Sequence, residues 1–328
     1  MNSFSYQRAG DIASALQQIR EPGAKFIGGG SNLLDLMKGG IERPVLLIDI
    51  NQLPLSDITV KPDGGLRIGA LARNSDVAAH PVVRGSYPLL TQALVSGASP
   101  QLRNMATVGG NLLQRTRCGY FYDTAFDACN KRAPGSGCAA LDGQNRNHAI
   151  FGASPQCIAV NPSDMSVALS ALDAVVNVEG PNGARSIAIA DFHRLAGDTP
   201  ERDTNLAPDE LIVSVDLPRS RFGDHAHYLK VRDRASYAFA LVSAATAFDL
   251  DDGVVRDVRI VLGGVAHKPW RAHAAETALR GQPFNADTRA EAGRMAMSGA
   301  RPYAHNGFKV ELTRRAVERS LALAGGVQ

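Results

Sequence analysis

A chain of 328 residues, 45% hydrophobic and 20% charged, can bury a sizeable core and is long enough for about two domains. Its 35 basic and 32 acidic residues leave a formal charge of +3, with no run of like charge suited to nucleic acid or a lipid surface. No stretch reaches the ~20 consecutive apolar residues of a membrane span, and the polar start lacks the apolar segment and twin arginines of an export signal. The expectation is a globular protein with no nucleic-acid partner and no membrane insertion.

From Asp11, residues Ile12, Leu16 and Ile19 follow a helical period, and Lys25-Phe26-Ile27 reads as a strand entering the triplet Gly28-Gly29-Gly30. A short helix follows over Asn32 to Lys38, and Val45-Leu46-Leu47-Ile48-Asp49 has the unbroken apolar character of a buried strand. Leu66, Ile68 and Ala70 alternate with Arg67 and Gly69, and Pro88 opens a helix that ends near Gly97. A second glycine-bearing loop is expected over Asn104 to Asn111.

From Leu113 to Cys157 the chain has no sustained period and is rich in Gly, Asn, Arg and Cys, so something other than an apolar face is expected to order it. Ser163 is placed to cap a helix running to Ala174. Strands over Val175 to Glu179 and Ile187 to Ile189 flank the turn Pro181-Asn182-Gly183, and Leu211, Val213, Val215 and Leu217 alternate. Pro218 to Asp224 reads as a boundary. Beyond it, Phe239 to Leu250 and Val254 to Leu262 form a hairpin through Asp251-Asp252-Gly253, and Ala-rich helices follow. This is α+β order.

A diphosphate packs against backbone N–H groups where no Cβ blocks it, which suits Gly28-Gly29-Gly30-Ser31-Asn32 ahead of a helix. A plain turn is the commoner use of such a triplet. Neither G-x-G-x-x-G nor the P-loop pattern is present, which excludes the standard Rossmann and NTPase cradles. Thr107-Val108-Gly109-Gly110-Asn111 offers a second close-approach backbone.

All four cysteines fall between Cys118 and Cys157, separated by ten, eight and eighteen residues. The gaps exceed those of zinc ribbons and compact ferredoxins, yet four thiolates supply the donor set of either a 4Fe–4S cluster or a structural zinc. Nearby Arg115, Arg117, Lys131 and Arg132 are candidates to offset the charge of such a centre. The histidines are scattered with no H-x-E or H-E-x-x-H spacing, His225 and His227 read as strand or surface residues, and Gly135-Ser136-Gly137 reads as a turn.

Phe26 to Leu34, Asn104 to Asn111, Asn161-Pro162-Ser163-Asp164, Lys230 to Arg234 and Gly263-Gly264-Val265-Ala266 together resemble the FAD subunits of molybdenum hydroxylases, the xanthine dehydrogenase family. The resemblance implies a vanillyl-alcohol-oxidase-type (PCMH-type) FAD-binding domain of two α+β lobes plus an α+β C-terminal domain similar to that of CO dehydrogenase flavoproteins. The corresponding ranges are 1–218, with lobes of about 1–55 and 56–218 and a cysteine-rich insertion of about 113–157, and then 224–328.

The resemblance further implies that Phe26, Ile27, Gly28, Gly29, Gly30, Ser31, Asn32 and Leu33 wrap the FAD pyrophosphate. Thr107, Gly110, Asn111 and Asp164 would hold the pyrophosphate and ribityl chain, Lys230 would stand near the isoalloxazine edge, and Tyr237 close to the flavin. Arg117 to Phe121 and Cys129 to Cys138 are similar to the insertion of bacterial aldehyde oxidoreductases, which implies a 4Fe–4S cluster on Cys118, Cys129, Cys138 and Cys157. The implied partners are a large subunit with a molybdenum cofactor that oxidises aldehydes to carboxylates, a small subunit with two 2Fe–2S clusters, and an external electron acceptor. No catalytic base for the aldehyde is expected on this chain, and its location is cytoplasmic, or periplasmic by co-export with a partner. The rival readings are a stand-alone flavin oxidase and a zinc-stapled binding module without redox function.

Overall fold

The computed structural model describes residues 1–223 and 225–327; Asp224, taken from sequence as the start of the second domain, and Gln328 lie outside the described residues. Strands β1 (Ser5–Arg8), β2 (Ala24–Ile27) and β3 (Leu46–Asp49) alternate with helices α1 (Ile12–Gln18) and α2 (Leu33–Lys38). They form a parallel sheet of order β1-β3-β2, in which β3 is central and wholly buried. Asp11 caps α1 by accepting from the Ser14 amide at 2.7 Å, and Ser14 Oγ closes the reciprocal capping box. The exposed edge strand β1 carries no apolar alternation and was not legible in the sequence.

A second lobe is an antiparallel sheet of order β4-β5-β8-β6-β7, built from β4 (Ile58–Val60), β5 (Leu66–Gly69), β6 (Val175–Gly180), β7 (Gly183–Ala188) and β8 (Leu211–Leu217). Between β5 and β6 the chain makes α3 (Asn74–Ala79), α4 (Pro81–Ser86), α5 (Pro88–Ser96), α6 (Pro100–Arg103), α7 (Val108–Leu112), α8 (Gly119–Tyr122) and α9 (Asp164–Ala171), with α10 (Ile189–Phe192) after β7. Two expectations change here. Val108–Leu112 is a short helix rather than loop, because the Thr107 hydroxyl accepts from the Gly110 amide and caps it. Helix α9 stops at Ala171, three residues early, because Asp173 takes a left-handed backbone with φ 52° that turns the chain into β6.

The C-terminal sheet has the order β12-β11-β10-β9, from β9 (Ala226–Val231), β10 (Val242–Asp251), β11 (Val254–Gly263) and β12 (Trp270–Arg271), and is antiparallel throughout. The β10–β11 turn falls on Asp252 and Gly253, whose φ values of 48° and 78° match the left-handed pair of a tight hairpin. Helices α11 (His273–Leu279), α12 (Ala286–Ala296) and α13 (Phe308–Ala324) share a core with this sheet. Helices α5 and α9 of the second lobe pack on each other, α5 against β9 and α9 against β10 and β11, so the two parts meet through helices.

The cysteine-rich segment is largely irregular, as expected, but apolar burial does help order it. Phe121 is fully buried, and Ile150 and Phe151 enter the C-terminal core, where Phe151 stacks on Trp270 with ring centroids 4.9 Å apart. The Ile150 and Phe151 amides both donate to the Val265 carbonyl at 2.9 and 3.0 Å.

His193, in the connection after α10, is fully buried, with Nε2 2.9 Å from the Leu112 carbonyl, and burial pushes its pKa down to about 4. The unfolded chain takes up this proton near pH ~6.5 and the folded chain only near pH 4. The contribution of a neutral His193 is therefore complete above about pH 6.5 and declines by roughly 1.4 kcal/mol per pH unit down to about pH 4. Denaturant unfolding at stepped pH should show His193→Gln losing less stability between pH ~6.5 and ~4.5 than the parent chain does.

Candidate functional site

Strand β2 delivers Gly28 to the carboxyl edge of the parallel sheet, where ligands of open α/β sheets commonly bind. A Cβ on Gly29 would overlap the carbonyl of Met105, so the loop after β2 and the loop before α7 pass backbone to backbone. Gly30 follows with φ +73°, a conformation that favours glycine. Arg73 ties the crossing, donating Nη1 to the Met105 carbonyl and Nη2 to Asn51 Oδ1 at 3.2 Å, while Asn51 Nδ2 donates to the Gly28 carbonyl at 3.0 Å.

Behind this crossing, Gly28 and Gly110 both face the Thr107 hydroxyl. Asn32 Nδ2 donates to the Gly110 carbonyl at 3.3 Å, and Asn32 Oδ1 accepts from Arg117 Nη2 at 2.6 Å. Arg117 also reaches the Asp35 carboxylate at 3.2 Å and lies 5.0 Å from the centre of the Phe239 ring, so one guanidinium joins the first lobe, the cysteine-rich segment and the C-terminal domain.

These parts enclose a cavity of about 1290 Å³, walled by Gly29, Gly30, Ser31 and Asn32 at one side, Asn111 and Asp164 in the middle, and Lys230, Gly263 and Gly264 opposite. That exceeds the roughly 300–1,000 Å³ typical of small-ligand pockets and suits an extended ligand. Asn111 Oδ1 accepts from Ser163 Oγ at 2.8 Å, which fixes it to the cap of α9. Lys230 is not a solvated surface lysine: its side chain is 3% exposed, and Nζ donates to Asp164 Oδ2 at 2.8 Å and to the Ser96 carbonyl at 3.1 Å. Asp164 Oδ1 accepts from Tyr228 Oη at 2.6 Å, and burial next to that carboxylate raises the Tyr228 phenol well above its ordinary range.

A second, far smaller cavity of about 20 Å³ is lined by all four cysteines, none of them in a disulfide. The Ala159 amide donates to Cys157 Sγ at 3.5 Å, and backbone amides of Ala140, Ile158 and Leu141 point at Cys138. Burial pushes the Cys118 thiol up to about 11. A hydrogen bond from Cys157 and these amides hold Cys138 down at about 6, while the same bond and burial push Cys157 up, so the pair shares one proton. Among the described residues, no three His, Cys, Asp or Glu side chains are arranged to hold a single metal ion.

Residues 2–220 match the family described as the FAD binding domain in molybdopterin dehydrogenase, and residues 227–324 match the CO dehydrogenase flavoprotein C-terminal domain. The chain belongs to the FAD-binding subunits of the molybdenum hydroxylases. It is 54% identical over 327 residues to the aldehyde oxidoreductase FAD-binding subunit PaoB of Escherichia coli, covering 99% of both chains. It is 29% identical to the glyceraldehyde dehydrogenase medium chain of Sulfolobus acidocaldarius, over 87% of this chain and 83% of that one. Among solved structures it superposes on a chain of carbon monoxide dehydrogenase from Hydrogenophaga pseudoflava with a TM-score of 0.77 at 25% identity, covering 99% and 98% of the two chains.

In this flavin subunit, the sequence-selected residues divide by depth. Gly29, Gly30, Ser31, Asn32, Asn111, Asp164, Lys230 and Tyr237 line the large cavity. Phe26 and Ile27 lie in β2, Leu33 opens α2, and Gly28, Thr107 and Gly110 brace the wall without lining it. Tyr237 is an exposed rim residue with φ 50°, held by Arg234 donating to its carbonyl. Carboxylates engage three of the basic residues expected to offset the charge of a cysteine-bound centre, and Lys131 still favours the Cys157 thiolate. Arg115 pairs with Glu42 and Asp203, Lys131 with Asp203 at 2.5 Å, and Arg117 with Asp35, while Arg132 holds the carbonyls of Tyr120, Phe121 and Asp123.

Arg73, Asn51, Tyr228, His148 and Lys309 escaped the sequence reading, since each acts through contacts with residues distant in the chain. A methyl group at Gly29 must push the two loops apart. Gly29→Ala is expected to lower bound flavin in the purified subunit at least tenfold, about 1.4 kcal/mol of affinity or more, read from the flavin absorbance per chain.

Proposed function

We propose that this chain is the flavin subunit of an aldehyde-oxidising complex. Electrons from a molybdenum-bearing large subunit would reach it through a small subunit with two 2Fe–2S clusters and leave to an external acceptor. The single observation that carries this reading is the large cavity walled by glycine backbone from one lobe and by the Asp164–Lys230 pair opposite. Identity of 54% across the whole chain to a subunit named for aldehyde oxidation supports the substrate class. Bound FAD supplies the exchange between one-electron and two-electron carriers that such a junction needs.

The chain's own residues bind and orient. Gly29, Gly30, Ser31 and Asn32 present backbone to the diphosphate, Asn111 and Asp164 the polar middle wall, and Lys230 a buried cation. Because Lys230 is compensated by Asp164 at 2.8 Å, its charge acts as half of a pair. Lys230→Met removes the cation and leaves a buried carboxylate unpaired, and both changes disfavour adding negative charge to the flavin. A reductive titration should place the flavin midpoint potential of Lys230→Met below that of the parent, and an unmoved potential removes Lys230 from this role.

The four cysteines fit a 4Fe–4S cluster. They line one cavity, stay unpaired and receive backbone N–H donors, the surroundings of a thiolate-ligated centre.

The test is co-expression with the two partner subunits under anaerobic conditions, followed by quantification of FAD, iron, labile sulfide and zinc. One FAD, eight iron and eight labile sulfide per complex, four of each beyond those of the two 2Fe–2S clusters, with aldehyde-dependent acceptor reduction by the complex and none by the isolated subunit, is the expected result. Stoichiometric zinc with only the four labile sulfides of the two 2Fe–2S clusters removes the 4Fe–4S cluster, and aldehyde oxidation by the isolated chain replaces the electron-relay reading with that of an oxidase.

A further inference from the structure

Thr116, Cys118, Tyr120 and His148 line both cavities, so the partition between the flavin site and the cysteine site is one side chain thick at this point. Cys118 is the one cysteine that faces both sides. His148 is 6% exposed and sits in the partition with Nε2 3.1 Å from Cys118 Sγ.

His148 is held from behind through its main chain. Its backbone carbonyl accepts from Lys309 Nζ at 2.9 Å and from Asn306 Nδ2 at 3.2 Å, and Lys309 Nζ also donates to the Gly264 carbonyl at 2.5 Å. Lys309 and Asn306 are fully buried, and among the described residues no carboxylate pairs with Lys309. The first turn of α13 therefore clamps the cysteine segment at His148 to the glycine wall of the flavin cavity at Gly264.

We propose that His148 is a positioning residue that sets the redox level of the cysteine-bound centre through a hydrogen bond to Cys118, with Lys309 and Asn306 fixing its main chain. The proposal rests on the cluster reading above. A thiolate bound to iron has no proton to give, so the bond must run from the imidazole N–H to the sulfur. One-electron reduction of such a centre adds negative charge that its sulfurs share, with no bond broken and no proton moved. A donor on a ligand sulfur favours that more negative state and raises the potential. The electron comes from the aldehyde oxidation of the assembled complex.

The experiment is an EPR-monitored redox titration of the anaerobic holocomplex carrying His148, His148→Leu or His148→Gln, with flavin potential, iron and labile sulfide measured in parallel. His148→Leu is expected to titrate at a lower potential, and His148→Gln, whose amide reaches the same point, to stay with the parent, while the flavin potential holds in all three. A Leu variant with full iron and an unshifted midpoint overturns the proposal, as does a centre that dithionite leaves unreduced. A parent complex with no iron or labile sulfide beyond the four of each in the two 2Fe–2S clusters sinks the cluster reading instead. If His148→Leu loses the additional iron, the parent complex grown with ¹⁵N-histidine decides by pulsed EPR. One weakly coupled imidazole nitrogen on the reduced centre supports the hydrogen bond, and its absence overturns it.

Discussion

The crossing of two backbones at Gly29 and Met105 is the constraint on which the site depends. The loop after β2 and the loop before α7 belong to different sheets and come within contact only because position 29 has no Cβ. Arg73 and Asn51 convert that contact into a hydrogen-bonded joint, and Thr107 fills the space that Gly28 and Gly110 leave open. On the glycine side the cavity wall is therefore main chain, which presents N–H groups in fixed directions and loses little side-chain entropy when a ligand binds. The glycines serve the approach of the lobes as much as the approach of the ligand.

Charge does for the parts of this molecule what apolar packing does within each. Asp203 accepts from both Lys131 and Arg115; burial alone would raise its pKa, but the two cations hold it below the carboxylate range. Arg115 also reaches Glu42 of the first lobe, and His267 of the C-terminal domain lies 3.5 Å from Asp203. A buried network of this kind is weak as a source of net stability, yet removing a single member leaves an unpaired buried charge at a cost of roughly 3–5 kcal/mol. It suits a subunit whose three parts must keep one geometry around a ligand none of them encloses alone.

The irregular segment between α7 and α9 is held at both ends and in the middle by different forces. Phe121 and Phe151 anchor it by burial, Asn145 and Asn306 by hydrogen bonds to backbone, and the cysteines meet at its centre. A sequence without period signals only that regular structure is absent; it is silent about single anchors such as Phe151, whose partner Trp270 lies beyond the whole of the second lobe's sheet.

Local chemistry made much of this chain readable from its residues alone. The apolar run of β3, the Asp-Gly turn of the β10–β11 hairpin, the Ser163 cap and the glycine loop after β2 are each decided within a few residues, and each stands where the sequence put it. Exposed β1 and β9, the latter expected only as a site for strand or surface histidines, were beyond that reach because partners distant in the chain select them. Only tertiary structure decided that Lys230 is half of a buried pair with Asp164, that Arg115 and Lys131 pair with Asp203, and that His148 faces Cys118. The reason is physical: turns, caps and periodicity depend on neighbours along the chain, whereas charge compensation and burial depend on neighbours in space.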